Sequence, residues 1–331
     1  SVTDQSSTTA DISTKALTAT ASASNKTYDG GTTATTTLTF SGLIGSETLG
    51  QTVGSTFDNK NVGSNKTVSV NSITLADGTN GGLAANYSIS AGQTTIAHIS
   101  PKSLTVSGNT ASNKTYDSNS VATVTVTLSG FVGSETLTYT NSSSFNNKNV
   151  GTGKTVTVDS ITLADGTNGG LASNYLVIPG QTTTANITAK ALTVSGITAS
   201  SKTYDGSTSA TLDTSSVLYS GLISGDTFNG SYTGAFSNAN VGTGKTVTIT
   251  SSYTGADVNN YSVTNQSSTT ADISTKALTA TASVSNKTYD ATNSATASLT
   301  LSGLVGSETL GSTNTSTFNN KNVGSNKTVT V

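Results

Sequence analysis

The sequence predicts an all-β protein, a tandem array of small β-sandwich (immunoglobulin-like) units of about 88 residues, with β-grasp-like units as the alternative. Three observations carry this. A five-residue stretch, Lys26-Thr27-Tyr28-Asp29-Gly30, returns at Lys114–Ser118, Lys202–Gly206 and Lys287–Ala291, with its tyrosines 88, 88 and 85 residues apart. That period is too long for a solenoid turn and suits a small domain. Apolar residues make up 32% and charged residues 10%, while the net charge is only −2, so a highly charged disordered chain is a poor description. The remainder is rich in Thr, Ser, Asn and Gly, which suit pleated strands and turns.

The period divides the chain into 1–13, the last strand of a preceding repeat; 14–100, 101–188 and 189–274, three full repeats; and 275–331, a truncated fourth. Residues 1–13 nearly duplicate 262–274, and Val331 aligns with Val70 inside a repeat. These cuts predict that the 331 residues are a window onto a longer repetitive protein. Within the first repeat, Ala16–Ala21 reads as a strand leading to the Tyr28 turn. Thr33–Phe40 alternates, with Ala34, Thr36, Leu38 and Phe40 on one face and Thr35, Thr37 and Thr39 on the other, the period of a half-buried strand. A strand near Thr48–Val53 follows, then one through Val68 and Val70 to Ile73 and Leu75 with a break near Asn71. Tyr87 with Ile89 and Ile96 with Ile99 mark the last two of six or seven strands, and no helical period occurs. The units abut without linkers, which predicts a semi-rigid rod.

The recurring stretch is a structural motif formed by Lys26, Tyr28 and Asp29; Lys114, Tyr116 and Asp117; Lys202, Tyr204 and Asp205; and Lys287, Tyr289 and Asp290. Extended backbone places Lys26 and Tyr28 on one face. The tyrosine reads as a core residue whose hydroxyl reaches a backbone group or water, and the aspartate as a turn residue. Because Gly30 gives way to Ser118 and Ala291, the sequence predicts no demand for positive φ there.

The Lys-x-Tyr-Asp-Gly stretch, some ten residues after a Lys-x-Leu-Thr strand (Lys15–Thr18, Lys102–Thr105, Lys190–Thr193, Lys276–Thr279), resembles the YDG repeats, relatives of the MBG repeats. The resemblance covers essentially the whole chain. It implies a place in large secreted bacterial adhesins of the filamentous-haemagglutinin-like, two-partner-secreted kind, and supplies no catalytic residues.

Enzymatic chemistry is not expected, nor any cofactor or metal. His98 is the sole histidine, and Asp11, Asn186 and Asp272 occupy the matching positions, so His-based catalysis has no counterpart in the other repeats. With no cysteine, thiolate metal sites and disulfides are excluded. The loops Asp77–Gly82 and Asp165–Gly170 offer one carboxylate each where calcium wants several. Glu47, Glu135, Asp226 and Glu308 read as solvated turn carboxylates. A Lys26-type isopeptide would look to Asn61, Asn149, Asn240 or Asn322. All fifteen basic residues are lysine, which argues against nucleic acid, and no apolar run would insert in a membrane. The expected role is a structural stalk or fibre segment of an extracellular adhesin or biofilm matrix protein, on the bacterial cell surface or secreted; the alternative is a repeated glycan- or ice-binding module acting by avidity. The partners in view are further copies, through self-association into filaments, and host or matrix glycans held by parts outside this window.

Overall fold

A computed structural model describes Ser1 and residues 6–331. The chain is all-β, with single 3-10 turns as its only helical elements among the described residues. The first repeat shows the plan. Its strands are β1 (Lys15–Ala16), β2 (Thr18–Ala23), β3 (Lys26–Thr27), β4 (Thr33–Ala34), β5 (Thr36–Ser41), β6 (Leu49–Phe57), β7 (Gly63–Asp77), β8 (Tyr87–Ser88) and β9 (Thr94–Ser100).

One sheet has five strands in the order β3-β9-β7-β6-β4; the other side pairs β1 with β8 and β2 with β5. Two pairs are parallel, β3 with β9 and β1 with β8, and local sequence pattern gives no sign of them. The alternating stretch read as one strand is two, because the chain changes sheets at Thr35: Ala34 pairs towards Ser55, whereas Leu38 pairs with Ala21. Both side chains are nevertheless buried and Thr35, Thr37 and Thr39 are exposed, as the period requires. The break expected near Asn71 is a bulge inside one long strand: Gly54 faces Ser72 and Ser55 faces Val70, leaving Asn71 as the extra residue. The third repeat lacks this bulge, and its corresponding pair, Asn229–Phe236 with Gly242–Thr254, runs in unbroken register.

A second irregularity explains the tolerance at the His98 position. Gly63 faces Ile99 and Lys66 faces Ala97, so one extra residue is accommodated at Asn65, whose φ is +54°. The Asn65 N–H donates to His98 Nδ1, as Gly153 N–H does to Asn186 and Gly244 N–H to Asp272. Any side chain with a local acceptor serves there.

Residues 6–14 carry no strand. Their near-duplicate forms Ser268–Ser274, paired with Gly242–Thr248 on one side and Lys202–Thr203 on the other. Residues 6–14 have neither neighbour among the described residues. The remainder of the 1–13 expectation, residues 2–5, lies outside the described residues.

The chain forms two compact bodies. One comprises Ser1–Lys114 with Asn119–Ile187, the other Thr115–Ser118 with Thr188–Val331. In the first, a single apolar cluster runs through Ala34, Phe57, Val68, Ala97 and Ile99 of the first repeat into Leu104 and Tyr175 of the second. Tyr28 lies in that cluster, where the two repeats meet.

Candidate functional site

Each copy of the recurring stretch is held by its own lysine. Lys26 Nζ donates to Asp29 Oδ1 (2.8 Å) and to the carbonyls of Gly31 and Thr33 (2.8 and 3.1 Å), and lies 5.5 Å from the centre of the Phe57 ring. Lys202 makes the same contacts with Asp205, Ser207 and Phe236, and Lys287 with Asp290, Thr292 and Phe318. Lys114 lies 5.6 Å from the Phe145 ring and donates to the backbone carbonyl and side-chain oxygen of Asn119. The aspartate also accepts the backbone N–H two residues on, from Gly31, Ser207 and Thr292. The lysine ammonium, with that backbone N–H, holds the Asp205 and Asp290 carboxyls down to about 2.

The clamp forces a conformation the sequence hid. Gly30, Ser118, Gly206 and Ala291 all have positive φ, at +78°, +66°, +74° and +64°. The expectation that positive φ is not required is therefore overturned. A non-glycine residue there costs about 1–2 kcal/mol. The lysines hold the turns all the same: Lys287 ties Asp290 to the Thr292 carbonyl around Ala291, and Lys114 bonds the Asn119 carbonyl just beyond Ser118.

The left-handed turn directs the tyrosine away from its own sheet into the next repeat. Tyr28, 1% exposed, donates from its hydroxyl to Glu135 Oε1 at 2.7 Å. Tyr175 donates to Glu135 Oε2 at 2.6 Å, accepts the Val132 N–H at 3.0 Å, and meets the Tyr28 ring edge-on at 5.5 Å. Lys60 Nζ completes the seat, 2.8 Å from Glu135 Oε1 and 5.9 Å from the centre of the Tyr28 ring. Glu135 is only 7% exposed, so the reading of it as a solvated turn carboxylate is corrected. Burial pushes this carboxyl up, but hydrogen bonds from Lys60, Tyr175 and Tyr28 outweigh it and hold the group below the usual carboxylate range. Burial, then the Glu135 hydrogen bond, raises the Tyr175 phenol to about 12. Beside this seat Asn174, fully buried, accepts the Val62 N–H at 2.9 Å and donates to Asn61 at 3.1 Å. Asn61 is thus engaged across the junction, and the hydrogen bonds of Lys26 go to Asp29, Gly31 and Thr33 instead.

The second body repeats the arrangement. Tyr116, 1% exposed, meets the Tyr261 ring at 5.6 Å and donates to Asp257 at 3.3 Å; Ser118 donates to Asp226 at 2.8 Å, and Tyr261 to Asp226 at 2.6 Å. Tyr204 donates to Glu308, and the Gly206 turn rests against Val305. Position 239 is alanine, so this seat has no lysine at the place of Lys60. Tyr289 is 56% exposed.

The glycine-rich loops have a steric explanation. A Cβ on Gly78 or Gly82 would lie about 2 Å from the Thr48 carbonyl oxygen. Asp77 caps the Ala84 N–H and Asp165 the Ala172 N–H. Among the described residues no group of three or more His, Cys, Asp or Glu could hold a metal, and no helix is long and apolar enough to cross a membrane.

The seat was legible only in outline. An acid recurs after a Gly-Ser, or in the third repeat a Ser-Gly, in all four repeats (Glu47, Glu135, Asp226, Glu308), a signal as regular as the tyrosine itself. Nothing local shows that the two meet, 107 residues apart for Tyr28 and Glu135.

No curated protein and no solved structure matches the chain. The YDG domain matches four times, over residues 13–96, 100–185, 188–271 and 274–331. The chain belongs to the YDG domain family, a non-catalytic structural repeat, present here as a tandem array.

Proposed function

We propose that this chain is a stalk or fibre segment of a large bacterial extracellular adhesin or matrix protein, displayed on the cell surface or secreted. The observation that carries this reading is where the recurring residues are spent. The tyrosine, the acid after the Gly-Ser pair and the loop around Asn61 join one repeat to the next. A binding module would instead spend recurring polar residues on an open surface.

A joint made of a buried aromatic pair, a desolvated carboxylate and continuous apolar packing resists bending and pulling more than a bare linker does. Host or matrix glycans would then be held by other parts of the protein. Small-angle scattering on the whole chain tests this. An extended particle whose profile is independent of ionic strength is expected, and a compact globule would overturn the stalk. Glycan-array binding by the chain itself would transfer the role to a repeated binding module.

A further inference from the structure

A second lysine in each repeat sits on an asparagine side chain, in the turn that follows Phe57 and its counterparts. Lys66 Nζ lies 2.8 Å from Asn59 Oδ1, Lys154 Nζ 2.6 Å from Asn147 and Lys245 Nζ 2.7 Å from Asn238, and Lys327 meets Asn320. In all four the same asparagine oxygen also accepts the backbone N–H two residues on, from Asn61, Asn149, Asn240 and Asn322. That much is an asparagine turn braced by a lysine, and it needs no chemistry.

The first repeat adds an acid. Asp58 stands where the others carry Asn146, Ser237 and Asn319. Its Oδ1 is 2.8 Å from Lys66 Nζ, and its Oδ2 receives a hydrogen bond from Asn59 Nδ2 at 3.3 Å. One carboxylate therefore touches both the nitrogen that would attack and the nitrogen that would leave. The carbonyl between them is polarised by the Asn61 N–H at 3.0 Å, the place of an oxyanion donor. Lys66 is only 8% exposed, and its stem lies across Gly63, where a Cβ would meet Lys66 Cγ and Cδ at 3.4 Å. The Asp58 N–H donates to the Thr67 carbonyl at 3.0 Å and closes the hairpin around the group. The fold itself holds the reacting atoms together.

We propose that Lys66 and Asn59 join in an intramolecular isopeptide bond, with Asp58 as the proton carrier. Asp58 takes one proton from the Lys66 ammonium, and the freed amine forms a C–N bond to Asn59 Cγ. Asp58 delivers that proton to Nδ2, the Cγ–Nδ2 bond breaks, and ammonia leaves. The surplus proton on the attacking nitrogen departs with the ammonia as ammonium, which leaves a neutral amide. Nothing is oxidised or reduced.

The resting pair is charged, because the Lys66 hydrogen bond holds the Asp58 carboxyl below the usual carboxylate range. The first proton transfer is therefore uphill, and the bond forms slowly. Once formed, it closes the turn that brings Lys60 to Glu135 and brings Asn61 and Val62 to Asn174, the first repeat's side of the joint. The inference rests on this turn and not on where the protein is displayed, so its failure would leave the stalk reading standing.

The whole chain is incubated at mildly alkaline pH until exposed Asn80, which precedes Gly81, begins to deamidate. It is then digested with a lysine-specific protease and mapped by mass. One linked peptide is expected, with Asn59 joined to Lys66, no cleavage after Lys66 and the loss of one ammonia. It should resist hydroxylamine, which opens the succinimides that ammonia loss also produces. Asp58→Asn, which makes this turn match that of the second repeat, should abolish the link. Asn146→Asp should add a second link, between Asn147 and Lys154. Absence of the 59–66 link from the unaltered chain at that time overturns the proposal, and a link that survives Asp58→Asn overturns the role of the acid. Asp58 and Asn146 are both exposed, so the variants keep their cores, which circular dichroism checks.

Discussion

The seats of Tyr28 and Tyr116 solve one problem with different acids. Around Tyr28 a single Glu135 takes both phenols, one on each oxygen, and Lys60 neutralises it. Around Tyr116 the turn acid is Asp226, one methylene shorter. It reaches Tyr261, Ser118 and Tyr116, and Tyr116 also donates to a second acid, Asp257, at 3.3 Å. Asp257 comes from the stretch Ser251–Asp257, which in this repeat replaces the glycine-rich loop. The tyrosine pairs are nonetheless superposable in kind, 5.5 and 5.6 Å apart with planes at 77° in both. The aromatic packing is therefore the invariant part of the joint, and the carboxylate that satisfies the phenols can be redistributed as long as no buried hydroxyl is left unpaired.

The sharpest way to break this comparison is to remove a ring. Tyr28→Ala should cost about 3–5 kcal/mol, because it opens a cavity and strips a partner from buried Glu135. Denaturant unfolding should then show the first repeat melting separately from the second. A single unchanged transition would mean that the ring is not the joint.

The acids come next. Glu135→Gln should cost about 1.5–3 kcal/mol, the scale of a hydrogen bond to a charged group, since it weakens two phenol contacts and leaves Lys60 unpaired. Asp226→Asn should cost less, because Asp257 remains to receive Tyr116. Equal losses would show that the second seat does not share its load.

Titration sharpens the comparison further. The Glu135 and Asp226 carboxyls sit below their ordinary values: in each, burial pushes up and hydrogen bonds, led by Lys60 for Glu135 and by Tyr261 for Asp226, outweigh it. Their contribution is present above the unfolded carboxyl range, near 4, and is lost as pH falls through the lower folded values. The Tyr175 and Tyr261 phenols are raised to about 12, by burial and then by the carboxylate beside each. Their contribution is present below about 10 and disappears as pH rises towards the folded value. Stability measured against pH should therefore fall on both limbs. Tyr175→Phe or Tyr261→Phe should flatten the alkaline one, and an unaltered alkaline limb in both variants would refute the assignment.

The smallest effects lie in the turns. Gly30→Ala should destabilise by about 1–2 kcal/mol, since it adds positive-φ strain and a Cβ 2.7 Å from Val132 Cγ1. Ala291→Gly should stabilise by up to about 1 kcal/mol, since Ala291 holds the same φ without the neighbour. Thermal melts of the two variants shifting in the same direction would contradict this account.

Much of the fold is visible in the residues themselves. The alternation of Ala34, Thr36, Leu38 and Phe40 shows which face is buried, and the doubled apolar pattern around Asn71 shows that the strand is interrupted. The change of sheet at Thr35 and the parallel pairs leave no local trace, because side-chain period reports a face and not a neighbour. Positive φ at Ser118 and Ala291 was hidden for a related reason: the clamp that imposes it reaches from a lysine four residues before that position to a carbonyl one residue beyond it.

By itself, the sequence determined the repeat, its length, its all-β character and its lack of histidine- or thiol-based chemistry, all of which follow from recurrence, period and composition. Only the tertiary structure decided what the recurring tyrosine is for. Its partner acid lies about a hundred residues away in the following repeat, and at that separation local pattern carries no information about contact. Burial, which turns an ordinary turn glutamate into the anchor of a joint, exists only once two repeats have been brought together.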